Sequence, residues 1–199
     1  MEVQNPYLPP VTPPEITAAS TRAPAPVEHE EVYPELFAPS TGKLILMSLT
    51  TFGLYTLYWF YRNWRAIAEH EGESLWPFWR AVFAPLWVFS GFSRLNGYAS
   101  SRRRQLAFPP VMLALIYFLI NFAGNLSVFF PRVVGRNSWV ISLLVFLPLL
   151  PVNSLMRRYR QSLRMGTAYQ DRLTVWHVLV IVFGGLLLLM ALAGMFLRG

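Results

Sequence analysis

The sequence predicts an all-α fold of the membrane type: a polytopic helical protein with four to five membrane segments, some of them kinked or re-entrant. Three observations predict it. Residues 44–61 carry no charge between Lys43 and Arg62, which is close to the ~20 residues that a helix needs to cross a ~30 Å hydrocarbon core, and four more apolar stretches follow. Only 14% of the 199 residues are charged while 54% are hydrophobic; soluble domains carry about 25% charge, so this chain has too little polar surface to solvate a globule of its size. The bases stand at the ends of the apolar stretches, beside Tyr and Trp, where headgroups and interfacial rings meet.

The chain divides at residue 40. Residues 1–40 hold nine prolines and six acids against the single base Arg22. Prolines this dense break helices and cannot donate to a sheet, and a tail poor in large aliphatics cannot offset its ordering entropy. We therefore expect 1–40 to be an acidic, Pro-rich, disordered leader and 41–199 to be the membrane domain. The leader lacks the basic start and apolar run of a signal peptide. A Pro-rich ligand for a partner groove is the competing reading.

Pro39, Ser40, Thr41 and Gly42 cap the first segment, expected at 43–64. Thr50, Thr51 and Gly53 gather at its centre, where back-bonding hydroxyls and a glycine predict a kink or break. Its second half carries Tyr55, Tyr58, Trp59, Tyr61 and Trp64, read as an interfacial belt. Residues 66–76 hold Glu69, His70, Glu71 and Glu73. Adjacent positions fall on different faces of a helix and no second histidine is near, so they read as a solvated loop and not as a metal site.

The second segment, 78–95, has an apolar core of thirteen residues, 81–93, broken by Pro85 and flanked by Arg80 and Arg94. That is short for a span, so it reads as re-entrant, interfacial or snorkelling. Arg102, Arg103 and Arg104 follow as a basic block. The third segment, 106–131, lies in twenty-seven residues without a charge. Asn121 and Asn125 share one of its faces beside Gly124 and predict polar packing toward other helices; contact with a polar substrate is the functional alternative. The fourth, 137–156, contains Pro148 and Pro151 and is expected to bend near Asn153, a third intramembrane polar residue. Its basic extension to 165 puts Arg157, Arg160 and Arg164 at i, i+3, i+7, a face suited to anionic lipid. The last segment, 173–197, begins at Trp176 and at His177, read as an interfacial anchor. Gly53, Pro85 and Pro148 each precede an arginine by nine residues, a spacing that suggests a repeated broken helix.

Thr51, Gly53, Tyr55, Tyr58 and Trp59, followed by Arg62, form a T-x-G-x-Y-x-x-Y-W motif that resembles a bacterial family of uncharacterised multi-pass membrane proteins. Residues 77–81 look like a second recurring element of one subgroup, and the resemblance covers 41–199. It implies a bacterial inner membrane and a multi-pass architecture, and no chemistry.

Function is less legible. There is no cysteine and there are three histidines. They stand apart, and no nucleophile motif or carboxylate pair appears, so no catalytic residue, cofactor or metal is expected. The net charge of +7 is placed for anionic lipids and not for nucleic acid. We expect a non-catalytic membrane protein acting through the bilayer, anionic lipids, and a protein partner or a second copy of itself. A small transporter or channel with broken helices is the alternative; against it, no charge lies at the middle of a long span. Three topologies compete. All five stretches span; or 81–93 does not; or the first stretch also turns back at Gly53, which leaves fourteen of the seventeen bases on one side. Basic excess marks the cytoplasm. All three put residues 157–172 inside and Gly199 outside, and two of them put the tail inside.

Overall fold

The structure, a computed structural model, is all helical. It describes residues 33–74, 76–101, 106, 109–130, 139–166 and 168–197. In chain order the helices are α1 (Thr41–Thr50), α2 (Leu54–Glu71), α3 (Pro77–Val82), α4 (Ala84–Ser100), α5 (Pro110–Phe129), α6 (Trp139–Leu143), α7 (Leu149–Ser162), α8 (Ala168–Asp171) and α9 (Val175–Phe196); a 3-10 turn, Leu144–Phe146, joins α6 to α7.

The first apolar stretch is not one rod. Ser40 caps α1 with its hydroxyl on the Lys43 N–H. The helix then ends where its own threonines compete for the backbone. Thr50 Oγ1 donates to Leu46 O at 2.8 Å and Thr51 Oγ1 to Met47 O at 2.6 Å. Gly53 follows at φ 87°, the left-handed region that a glycine enters without a Cβ penalty, and caps the start of α2.

The chain then returns. Asn63, halfway along α2, accepts from the Phe37 N–H and donates to the Phe37 carbonyl, both at 3.1 Å. Trp59 Nε1 donates to Asn153 Oδ1 at 3.0 Å, and the same carboxamide donates to Pro39 O at 2.8 Å. The beginning of α1 and the middle of α2 therefore lie at one end of the molecule, and residues 51–53 form the tip of a helical hairpin. Ten residues rise ~15 Å, about half of a hydrocarbon core. The break expected near Gly53 is present, and the reversal matches the topology in which the first stretch turns back there.

It also moves the boundary of the leader. Residues 33–40 pack on the helices, with Leu36, Phe37 and Ala38 in the core at 0%, 6% and 0% exposure, and the compact unit begins at Tyr33. The aromatic half of the hairpin turns inward as well. Tyr55, Trp59 and Trp64 are buried, while Tyr58 remains half exposed, and Phe60 packs between the rings of Phe92 and Tyr117.

The stretch expected as a loop at 66–76 continues α2 to Glu71, where Gly72 ends the helix at φ 64°. The second apolar stretch divides at Phe83 into α3 and α4. Arg80 of α3 lies between the rings of Trp64 and Trp87, 4.7 and 4.5 Å from their centroids. The helix α4 follows α2, with Gly91 against Trp64 and Tyr98 against His70, and α5 returns along it through Phe89 and Phe118. Gly53, Pro85 and Pro148, which the sequence relates by spacing, each stand at the start of a helix, α2, α4 and α7. All three of these helices run toward the end where residues 33–40 lie.

The helix α9 runs beside α1 in the same direction. Lys43 Nζ donates to the carbonyls of Gln170 and Arg172, both at 2.9 Å, and Gly184 meets the Thr50 carbonyl so closely that a Cβ there would overlap it. Gly184→Ala is therefore expected to destabilise by about 2 kcal/mol through overpacking, although Gly→Ala ordinarily favours a helix. Gly194 supplies the control, since it lies in the same helix and a Cβ added there would meet nothing within 4 Å. Melting in detergent that is equally affected by Gly194→Ala and Gly184→Ala contradicts the packing.

Among the described residues two helical stretches are long and apolar enough to cross a membrane: 140–162, half buried, and 168–196, 6% buried. A shorter apolar helix covers Pro110–Leu126. There Leu113, Ala114 and Tyr117 face the core, while Val111, Leu115, Leu119 and Phe122 are exposed.

Candidate functional site

Two polar clusters stand out, one at each end of the hairpin. The first is a clasp around residues 33–40. Arg160 is 1% exposed and donates to Leu36 O at 2.9 Å and to Gly166 O at 2.8 Å. Gln170 accepts from the Ala38 N–H at 2.8 Å. Asp171 takes both Arg157 nitrogens, at 2.9 and 2.6 Å, and the Ser40 N–H at 2.6 Å. The Arg157 hydrogen bonds, helped by the Ser40 N–H, hold the Asp171 carboxyl below the usual carboxylate range.

The basic face expected at Arg157, Arg160 and Arg164 is thereby corrected. Arg160 points into the protein because the carbonyls of an irregular segment need donors there. Arg157 is engaged by Asp171. The helix ends at Ser162, so Arg164, exposed at φ 55°, belongs to the turn beyond it. Arg102, Arg103 and Arg104 lie outside the described residues. At the same end Glu71 pairs with Arg94 and accepts from Tyr98 at 2.6 Å. Burial first, then that bond, hold the Tyr98 phenol above its ordinary range.

The second cluster is a pocket of about 270 Å³ at the hairpin tip. Gly53 and Leu54 form one wall, Asn121, Gly124 and Asn125 of α5 another, and Ser142 of α6 closes it. The approach of α5 to α6 needs Gly124, since a Cβ there would overlap Ser142 Oγ. The packing toward other helices expected of Asn121 and Asn125 takes a different form. Each spends one N–H on the carbonyl a turn earlier in its own helix, Tyr117 O at 3.0 Å and Asn121 O at 2.8 Å, and both line the pocket beside Thr56 and Tyr117. Asn153 lies elsewhere, fully buried between Trp59 and Pro39.

The motif residues acquire distinct positions. Thr51 Oγ1 accepts from the Tyr55 N–H at 3.0 Å and so caps α2 as it ends α1. Gly53 makes the reversal, and Trp59 ties the returning arm to α7. His177 accepts from the Thr174 N–H at 3.1 Å and secures the start of α9. Sequence reasoning did not single out Thr56, Tyr117 or Ser142, nor Asn63, Gln170 and Lys43 of the clasp. Asn63, between Arg62 and Trp64 in an aromatic run, carried a usable signal as a lone amide on an otherwise apolar face.

Chemically, the clasp joins backbone to side chain and presents no nucleophile–base pair. Among the described residues no three His, Asp or Glu side chains gather as metal ligands. No family model, curated protein or solved structure matches the chain.

Proposed function

We propose that this is a multi-pass integral membrane protein, non-catalytic, that acts through contacts with lipid and with partner helices. One observation carries the reading: α9 is 22 residues of almost unbroken apolar side chain, touched along one side by α1 and otherwise exposed. Such a surface is stable only against hydrocarbon or another apolar helix. The exposed stripe on α5 supports the same reading, since a soluble helix exposes polar residues there.

In the arrangement we favour, α5, α6 with α7, and α9 cross the bilayer. The α1–α2 hairpin enters from the end that holds residues 33–40 and returns. Residues 33–40, the basic block at 102–104 and residues 157–172 then share the cytoplasmic side with fourteen of the seventeen bases. The tail is cytoplasmic and Gly199 is outside. The resemblance in the motif points to a bacterial inner membrane.

The test combines extraction and reporters. The full chain is expected to stay in the pellet after a carbonate wash. A periplasm-active reporter fused after Gly199 is expected to be active, and the same reporter fused after Gly72, beyond the returning arm, silent. Release by carbonate defeats the membrane reading; an active fusion after Gly72 defeats the hairpin topology while leaving the membrane reading intact.

A second reading, a small-solute transporter or channel, is favoured by the pocket at the hairpin tip. Broken helices meeting at mid-depth are how many carriers build a binding site.

A further inference from the structure

We infer that the pocket at the hairpin tip binds a small neutral polyhydroxy solute, in the size range from glycerol to a monosaccharide. The inference rests on the membrane reading above and names the solute class for the pocket that favours the second reading, a transporter or channel.

Four observations lead to it. The tip lies ten residues into α1, ~15 Å from its start, so in a bilayer the pocket stands near mid-depth, where polar groups are costly unless they are used. Five side chains with hydroxyl or amide groups nevertheless converge there: Thr56, Tyr117, Asn121, Asn125 and Ser142. Among the described residues, none that lines the pocket is an acid, a lysine, an arginine or a histidine. Against these described walls a charged ligand would lose its hydration with no counter-charge to replace it, and we therefore take the occupant to be neutral.

The polar groups also have a common character. A threonine, serine or tyrosine hydroxyl both donates and accepts, and a carboxamide does both from adjacent atoms. That set matches a row of ligand hydroxyls, which alternate in the same way. The carboxamides are already oriented by their back-bonds to α5. The remaining walls, Leu54, Leu57 and Val145, are apolar and suit the C–H faces of such a solute. At about 270 Å³ the pocket falls just below the usual range for drug-sized ligands, which begins near 300 Å³.

The position of the pocket explains the residues that shape it. Gly53 approaches Val145, whose Cγ1 would lie 3.3 Å from an added Cβ, and Gly124 approaches Ser142. These contacts bring the hairpin tip, α5 and α6 together around the pocket, so hydroxyl and amide groups meet in an open, mixed polar and apolar pocket among helices that are otherwise apolar.

The experiment uses the full-length protein in phosphatidylcholine nanodiscs, with no glycosidic detergent that would itself offer a sugar. Glycerol, myo-inositol and glucose are the neutral probes; glucuronate and glucosamine are their charged counterparts. Saturation-transfer difference NMR reads binding. At least one neutral probe is expected to give a saturable signal, and the charged counterparts to bind at least about tenfold more weakly for want of a counter-charge. Asn125→Leu, at an exposed helix position, and Ser142→Ala, which removes one hydroxyl and adds no atom beside Gly124, are each expected to weaken binding about tenfold, as for one lost hydrogen bond, with melting preserved. Absence of a saturable signal from all three neutral probes overturns the inference. So does charged-probe binding of equal strength, or an unchanged affinity in both variants. Carbonate retention of the same protein tells such a failure apart from failure of the membrane reading.

Discussion

Deleting residues 1–38 is expected to destabilise the helical part by on the order of 5 kcal/mol, while deleting residues 1–32 leaves its melting unchanged. The six residues between the two truncations include Leu36 and Phe37, both buried. Each is worth about 2 kcal/mol of apolar burial. Their loss also strips partners from groups that remain buried. Arg160 loses the Leu36 carbonyl, Asn63 both hydrogen bonds to Phe37, and Gln170 the Ala38 N–H. An abandoned buried donor or acceptor costs about 1–3 kcal/mol. The measurement is thermal or denaturant unfolding in one detergent, for both truncations. Equal melting of the two would mean that residues 33–38 do not dock. Leu36→Ala in the full chain, expected to cost about 3 kcal/mol as a core cavity, gives the same information should the longer truncation fail to accumulate.

The second large effect centres on Asn153. Its carboxamide joins three pieces of chain far apart in sequence: α7, the returning arm of the hairpin through Trp59, and, through Pro39, the strap formed by residues 33–40. Asn153→Leu keeps the branched heavy-atom skeleton and removes both bonds, leaving an indole N–H and a carbonyl unpaired in a site with 0% exposure. The expected cost is about 4 kcal/mol, two orphaned groups at about 2 kcal/mol each. Trp59→Phe removes only one of the two bonds and leaves Asn153 on Pro39. In a double-mutant cycle the two substitutions are expected to couple by about 1 kcal/mol, because the second loses nothing that the first has not already broken. Strict additivity would show that the indole and the carboxamide do not bond.

Both results bear on function through the hairpin. The strap and Asn153 hold its two ends together at one side of the molecule, and thereby hold its tip, with Gly53, against Val145 and Ser142.

What the sequence by itself determined was local. Apolar runs located α5 and α9 to within a few residues. The threonines and glycine at 50, 51 and 53 marked the first break, Pro85 and Pro148 stood at the other two, and Ser40 marked the start of α1. Each of these signals acts within one turn of helix, through a back-bonding hydroxyl, a missing N–H or a missing Cβ, so it is written in adjacent letters. Low charge and interfacial residues pointed to the class for a similar reason, since solvation depends on composition.

Only the tertiary structure decided what those helices do after each break. An eighteen-residue apolar run has the right length to cross and is equally able to enter and return. The choice falls to partners a hundred residues away: Asn153 for Trp59, Arg160 and Gln170 for the strap, Gly184 for Thr50. The same long-range demand turned Arg160 inward, where helical spacing alone had put it on a lipid-facing side. It also drew residues 33–40 into the core despite their prolines. Buried carbonyls without helix partners require donors wherever the chain can supply them, and no local pattern records which distant residue will answer.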